Sequence, residues 1–161
     1  MKRLLLLGLA FASACSVAGE TVEYSADAYA VCSACHLAGG EGIPGAFPPL
    51  KNRAAKMASL DGGREYLISV VSSGLMGMLD AEGATYMGVM PGHQGSMSQE
   101  QIADALNYVV FSLADDASAE SEVFTADEVA AQQAAVESPS PAVAAEMRTG
   151  LVDKHGDAWP Q

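Results

Sequence analysis

Apolar side chains recur at helical spacing in two segments of the chain, which predicts two amphipathic helices. Asp61 is a candidate N-cap for the first helix, and Ser98 with Gln101 forms a capping-box pattern before the second. The apolar face of the first helix comprises Tyr66, Leu67, Val70, Val71 and Leu75. The apolar face of the second comprises Ile102, Leu106, Val109, Val110 and Leu113.

A third helix is predicted closer to the N-terminus than these two. Ser25 can cap it, and Tyr29 lies one turn before a pair of cysteines, where it can pack at a cofactor edge or on another helix. Strand alternation is weak everywhere, apart from a short stretch between Leu79 and Val89. The chain has no internal repeat, so the pattern favours a single helical domain.

The chain changes character after Ala114. Residues 115–124 are acidic and poor in core-forming side chains, as is typical of a linker. Thr125 with Glu128 predicts another capped helix, which the Ser-Pro-Ser-Pro run at residues 138–141 interrupts. A last helix then follows, and residues 125–161 are predicted to form a helical C-terminal extension. Its apolar stripe comprises Val143, Met147 and Leu151, with His155 continuing it as a polar cap.

The first eighteen residues are typical of a secretory signal peptide. Lys2 and Arg3 form the charged region, the apolar run ends near Ala12, and cleavage after Ala18 leaves Gly19 as the new N-terminus. In an alternative reading, residues 1–14 are a lipoprotein signal and Cys15 carries a lipid anchor. The apolar run is shorter than the roughly 20 residues that span a bilayer, and no later segment is apolar enough to do so. The sequence therefore predicts export to the periplasm.

Composition limits the classes of partner. The 161 residues include 20 acidic and 8 basic side chains, for a net charge of −12, and loss of the leader makes the chain more acidic still. Such a surface repels nucleic acid and favours partners with basic docking surfaces, although acidity also serves solubility alone. Half of the residues are hydrophobic but only 6% are aromatic, so a large apolar cofactor could supply missing core material.

Residues 32–36 carry the most specific chemistry in the chain. Cys32, Cys35 and His36 form C-x-x-C-H, the attachment motif of c-type haem. Two intervening residues let both thiols reach the vinyl groups on one porphyrin edge, and the adjacent histidine then lies under the iron. A redox disulfide lacks the surrounding β-α-β pattern, and a zinc site lacks a second cysteine pair.

A stiff loop follows the motif. Its glycines allow close approach to a flat ligand and its prolines fix the backbone. The apolar side chains of Phe47 and Leu50 are expected to cover such a ligand. The carbonyl of Pro48 is the candidate hydrogen-bond acceptor for the second nitrogen of His36.

A second iron ligand is expected between Tyr86 and His93. Met90 precedes a proline, which biases it to an extended strap, and a thioether is a soft, neutral ligand that raises the reduction potential. Met87, Met97 and His93 remain rivals.

The ordered motifs resemble the class I c-type cytochromes. They are C-x-x-C-H, then G-x-G-x-P-G-x-F-P-P-L, then Y-x-G-V-M-P, then S-x-x-Q-I-A-x-x-L-x-Y-V, and the match runs from Tyr29 to Leu113. The subgroup resembled comprises periplasmic proteins and the cytochrome c domains of oxidoreductases. The resemblance implies an all-α cytochrome c fold over residues 19–114 around one covalently attached haem, with Tyr86 in the haem pocket. By position, His36 and Met90 become the axial ligands.

Met87 departs from this resemblance, because the subgroup more often has a polar residue there, and ligand exchange between neighbouring methionines therefore stays open. The function implied is electron transfer without enzymatic residues, either as a soluble shuttle or as a subunit of a dehydrogenase or reductase complex. A haem enzyme or gas sensor with a labile sixth ligand is the main alternative. A copper-handling protein is a weaker one, because it leaves C-x-x-C-H unexplained; its methionines would be Met76, Met78, Met87, Met90 and Met97.

Overall fold

The computed structural model describes residues 24–115 and 121–161. The leader residues 1–18, including Cys15, and residues 116–120, half of the predicted linker, lie outside these ranges. The described helices are α1 (Ala26–His36), α2 (Arg53–Ala58), α3 (Gly63–Ser73), α4 (Gln99–Asn107), α5 (Ala126–Ala135) and α6 (Pro141–His155). A π-helical turn, Tyr108–Ser112, continues α4, and a 3₁₀ turn, Gly156–Ala158, follows α6. Two strands, β1 (Gly74–Ala81) and β2 (Ala84–Pro91), form an antiparallel hairpin.

The predicted helical class is confirmed, and local capping explains several helix starts. Ser25 Oγ accepts a hydrogen bond from the Asp27 N–H, and Ser98 and Gln101 form the full reciprocal capping box. Thr125 caps α5 through the Glu128 N–H. The Glu128 carboxylate does not complete the box, because it binds Arg64 instead, with oxygen–nitrogen distances of 2.8 and 2.6 Å.

Two predictions around α3 are wrong. The N-cap is Gly62, and the Asp61 side chain instead pairs with Lys154 of α6 at 2.5 Å. Helix α3 ends at Ser73, so Leu75 lies in β1 rather than on the helix face. Gly74 ends the helix with a φ of +87°, and a Cβ atom there would lie 2.4 Å from the Met90 carbonyl oxygen.

The hairpin is longer than the weak strand signal between Leu79 and Val89 predicted. Gly74 pairs with Pro91 at one end and Ala81 with Ala84 at the other. Glu82 and Gly83 both have positive φ, which is the geometry of a tight two-residue hairpin turn.

The core forms where α1, α2, α3 and α4 meet. Tyr29 of α1 stacks on Tyr108 with ring centroids 5.2 Å apart, and its hydroxyl donates to the Leu37 carbonyl. The aromatic ring therefore packs on a second helix, one of the two placements predicted for it. The largest fully buried side chains are Trp159, Ile68, Ile102, Val110 and Val129.

The C-terminal extension packs on the rest of the fold. Helix α6 lies against α3 and β1, and α5 against α3 and α4. Arg64 of α3 lies 3.9 Å over the ring of Phe124, which is buried at the end of the predicted linker. His155 donates to the Asp61 carbonyl at 2.9 Å, in keeping with a polar role at the helix end. Within the described residues, no helix is both long and apolar enough to cross a membrane.

Candidate functional site

The loop after α1 is held in shape by its glycines. Gly42 has a φ of +67°, and a Cβ atom there would lie 2.4 Å from the Phe47 carbonyl oxygen. Its N–H donates to the His36 carbonyl, while Ile43 and Phe47 close the loop with an antiparallel bridge. This folding brings the Pro48 carbonyl back to the end of α1.

His36, the last residue of α1, is fixed by that carbonyl. Its Nδ1 lies 2.8 Å from the Pro48 oxygen. Because a carbonyl only accepts, Nδ1 carries the hydrogen and Nε2 is left with a free lone pair. Burial lowers the pKa of the imidazole, against a smaller opposite effect of the hydrogen bond. The ring is therefore neutral and oriented, as an iron ligand must be.

The two cysteines lie on the same helix, are both half-buried, and have different surroundings. Cys35 lines the cavity beside His36, and Cys32 packs at the edge of the hydrophobic core. Burial raises the pKa of the Cys32 thiol, whereas thioredoxin-type C-x-x-C chemistry depends on a lowered thiol pKa. The local environment therefore does not favour a redox disulfide.

The hairpin forms the facing wall, and its register separates the methionines. Side chains alternate between the two faces of a strand. Tyr86 and Met90 of β2 share the inward face, where Tyr86 is buried and Met90 is half-buried, paired with Leu75. Met87 lies on the opposite face of β2 and is 74% exposed, although it is also among the residues that line the cavity described below. A one-residue shift of β2 would be needed to bring Met87 inward, so the register favours Met90 as the ligand.

A cavity of about 310 Å³ lies between the loop and the hairpin. It brings together Cys35, His36, Phe47, Pro48, Tyr86 and Met90 from the predicted site. The further lining residues are Ala46, Leu75, Met76, Gly77, Leu79, Met87, Gly88, Val89 and Pro91. Its wall is mainly apolar, with an imidazole supplied by α1 and methionine thioethers supplied by the hairpin. Such a cavity suits a flat apolar group with a metal at its centre.

Three residues considered from the sequence lie away from this cavity. Leu50 packs against the hydrophobic core, and its N–H donates to the Gly40 carbonyl. Met97 also packs on that core, and His93 is tied by its backbone to the Val71 carbonyl. Of the three rival ligands, Met87 lines the cavity, whereas Met97 and His93 do not.

Leu75 and Leu79 line the cavity, yet the sequence did not single them out as site residues. Both fall on the inward face of β1. The outward face is also apolar, with Met76, Met78 and Val89 exposed beside Met87. Because both faces of the hairpin are apolar, the sequence lacks the alternation of apolar and polar residues that predicts a strand. The tight turn at Glu82 and Gly83 was the signal that could have revealed the hairpin.

Comparison with known proteins gives concordant matches. The family model described as cytochrome c matches residues 22–111. A protein named cytochrome c-552 from Thermus thermophilus is 38% identical over 152 residues, covering 94% of this chain and 96% of that protein. A second Thermus thermophilus protein of the same name is 39% identical over 124 residues, covering 76% of this chain and 94% of its own length. The first similarity extends well beyond the family match and into the C-terminal extension.

Proposed function

The chain belongs to the cytochrome c family, whose members carry covalently bound haem c, and we propose that it is a periplasmic one-electron carrier with His36 and Met90 as axial ligands. Its C-x-x-C-H motif supplies Cys32 and Cys35 as the thioether anchors. The haem, when bound, supplies the iron that changes oxidation state.

The observation that carries the proposal is the placement of His36 and Met90 on one cavity from two separate segments. The imidazole comes from the end of α1, and the thioether comes from the inward face of β2. A histidine–methionine pair leaves no open coordination position, and the thioether raises the potential. The pairing therefore favours electron transfer over chemistry on a bound substrate.

The protein's contribution is rigidity and exclusion of water. The Pro48 carbonyl fixes the His36 ring, and the ladder from Gly74 to Pro91 fixes the strand that carries Met90. Because both ligands are held by backbone structure, little rearrangement is needed between oxidation states. Low rearrangement is what outer-sphere electron transfer requires.

Redox partners are expected to present basic surfaces, since the chain carries a net charge of −12. Charge complementarity would speed encounter and would be screened by salt. The rate of electron exchange with a basic partner should therefore fall as ionic strength rises. A rate that is independent of salt would contradict this part of the proposal.

Export rests on residues 1–18, which have the pattern of a signal peptide. The mass of the mature protein distinguishes the two processing routes. A chain beginning at Gly19 supports the soluble periplasmic form, and a lipid-modified Cys15 supports the anchored form. Retention of Met1 in the native host would contradict the removal of residues 1–18 as a cleaved signal peptide.

The ligand assignment is tested by comparing Met90→Ala with Met87→Ala. Ferric iron bound to methionine gives a weak near-infrared band, which we expect in the wild type and in Met87→Ala. In Met90→Ala the haem should remain covalently attached, but the band should vanish and the potential should fall. Loss of the band in Met87→Ala alone would overturn the assignment, and carbon monoxide binding to the reduced wild type would favour a sensor or enzyme.

A further inference from the structure

The hairpin carries three methionines that are not needed as iron ligands. Met90 is the proposed ligand, and Met97 packs on the hydrophobic core. Met76, Met78 and Met87 are instead 46%, 64% and 74% exposed. Methionine is an apolar side chain that normally fills gaps in a core, so three exposed methionines in one short hairpin need a separate explanation.

The strand register brings these three side chains together. Met78 is directly opposite Met87, and Met76 lies two residues before Met78 on the same face of β1. Opposite side chains of an antiparallel pair have Cβ atoms about 5 Å apart, and diagonal neighbours are about 7–8 Å apart. A methionine side chain has three rotatable bonds, so the three sulfur atoms can converge on one point above the middle of the hairpin.

The chemistry of this face suits a soft cation. A thioether is neutral and polarisable, and soft sulfur ligands select Cu⁺. Residues 74–91 contain two acidic side chains, Asp80 and Glu82, and no basic one. Asp80 Oδ1 accepts a hydrogen bond from Thr85 at 2.6 Å, and Arg148 of α6 reaches the hairpin near its turn, at the Asp80 carbonyl. The thioethers are therefore the ligand atoms available at the middle of this face.

Other sites that could compete for a metal ion are few. Within residues 24–115 and 121–161, no group of three or more His, Cys, Asp or Glu residues could hold a metal ion. In the haem-bound protein, the sulfur atoms of Cys32 and Cys35 are used in the covalent bonds to the cofactor. A soft cation added to that form would therefore meet the methionine face as its main multidentate site.

We propose that Met76, Met78 and Met87 bind one Cu⁺ ion on the outward face of the hairpin. The site is separate from the haem iron, because side chains alternate between the two faces of a strand and Met90 belongs to the other face. Met76 and Met87 also line the cavity, which places the ion at the cavity rim. Three thioethers leave the charge of the ion uncompensated, and the net charge of −12 favours its binding.

Methionine methyl resonances test the site directly. Ferrous haem with two strong axial ligands is diamagnetic, so the ferrous holoprotein with carbon-13-labelled methionine methyl groups is titrated, without oxygen, with Cu⁺ supplied as its acetonitrile complex. We expect the resonances of Met76, Met78 and Met87 to shift together and to saturate at one equivalent. Zn²⁺ prefers nitrogen, oxygen and thiolate ligands and should shift none of the three. A shift of one methionine alone, or shifts that grow past one equivalent, would overturn the proposal.

Replacement of single ligands tests the affinity. Met78→Leu and Met87→Leu keep an apolar side chain of similar volume but remove the thioether, and both positions are largely exposed, so neither change threatens folding. Each should weaken Cu⁺ binding, measured against excess acetonitrile, by roughly tenfold or more, since even the loss of an outer-shell partner costs about that much. Met97→Leu makes the same change at a methionine on the core and is the matched control. Affinities equal to that of the control would overturn the assignment.

The methyl resonance of Met90 separates this proposal from the haem assignment. When a methionine binds ferrous iron, the haem ring displaces its methyl resonance far from those of the other methionines. We expect the displaced resonance to belong to Met90 and to stay in place during the titration. Its disappearance on addition of Cu⁺ would show that copper takes the iron ligand and would overturn a separate site. A wild type in which Met90 is never displaced would refute the axial assignment instead, whatever the response of the other three methionines.

Discussion

Asn107 holds Phe124, the last linker residue before the C-terminal extension, to the haem-binding domain, and its replacement by alanine should be strongly destabilising. It lies at the end of α4 and is 5% exposed. Its Oδ1 accepts from the Phe124 N–H at 2.7 Å, and its Nδ2 donates to the Phe124 carbonyl at 2.9 Å. One side chain therefore satisfies both backbone groups of a buried residue seventeen positions away.

The size of the effect follows from these two bonds. Each hydrogen bond contributes about 1 kcal/mol net, and each buried backbone group left without a partner costs about 1–3 kcal/mol. Partial access of water to the truncated site lowers the upper end of this range. We therefore expect Asn107→Ala to reduce the free energy of unfolding by about 3 kcal/mol, which is roughly a 100-fold change in the unfolding equilibrium.

Guanidinium unfolding of the ferric holoprotein, followed by Soret absorption and far-ultraviolet circular dichroism, measures this change. Gln99→Ala is the matched control, because Gln99 also bonds the extension, through Gln133, but from an exposed position. It should cost less than about 0.5 kcal/mol. A loss below about 1 kcal/mol for Asn107→Ala would refute the reasoning, since it would mean that Phe124 needs no fixed partner.

Three further outcomes are expected. Gly42→Ala should sharply reduce the yield of haem-containing protein, because the added Cβ meets the loop backbone. Gly45 is the control: it also has a positive φ, of +76°, but a Cβ there would meet open space, so Gly45→Ala should only lower the free energy of unfolding. Equal yields of the two variants would contradict the steric argument. Arg64→Met should cost about 2–4 kcal/mol in denaturant unfolding, because it loses an ion pair, two carbonyl contacts and a ring contact in the extension. Lys51→Met, which breaks an exposed ion pair, should change little, and a similar loss in both would contradict a special role for Arg64. Burial raises the pKa of Tyr66 to about 12, so the contribution of its neutral form to stability is complete below pH 10 and declines up to pH 12. When urea unfolding at pH 9 is compared with urea unfolding at pH 11, Tyr66→Phe should therefore lose less stability than the wild type. Equal losses in the two proteins would contradict this.

Much of the helical framework could be predicted because its signals are local. The Ser98 and Gln101 capping box needs only residues three apart, and the apolar spacing from Ile102 onward needs only one helix. The Pro48 carbonyl lies close to His36 because a short glycine-rich loop separates them. In each case the determining contacts span a dozen residues or fewer.

The errors arose where a distant residue competed with a local signal. Asp61 has the chemistry of an N-cap, but Lys154 and His155 engage its carboxylate and its carbonyl from the other end of the chain. Leu75 continued the helical spacing of α3, but Gly74 allows the backbone to turn into a strand that pairs with β2. Neither partner is visible within a short sequence window.

The same long-range contacts explain why the extension behaves as part of the haem-binding domain rather than as an appendage. Asn107 fixes its beginning, Arg64 holds its first helix, and Arg53 binds its end through Pro160. These anchors join the extension and the linker before it to α4, α3 and α2, so separating the extension would expose buried or half-buried polar groups at three places together. Loss of any one anchor therefore weakens the other two. The two parts should unfold in one transition, and a first step seen by circular dichroism without a change in the Soret band would show that they are independent.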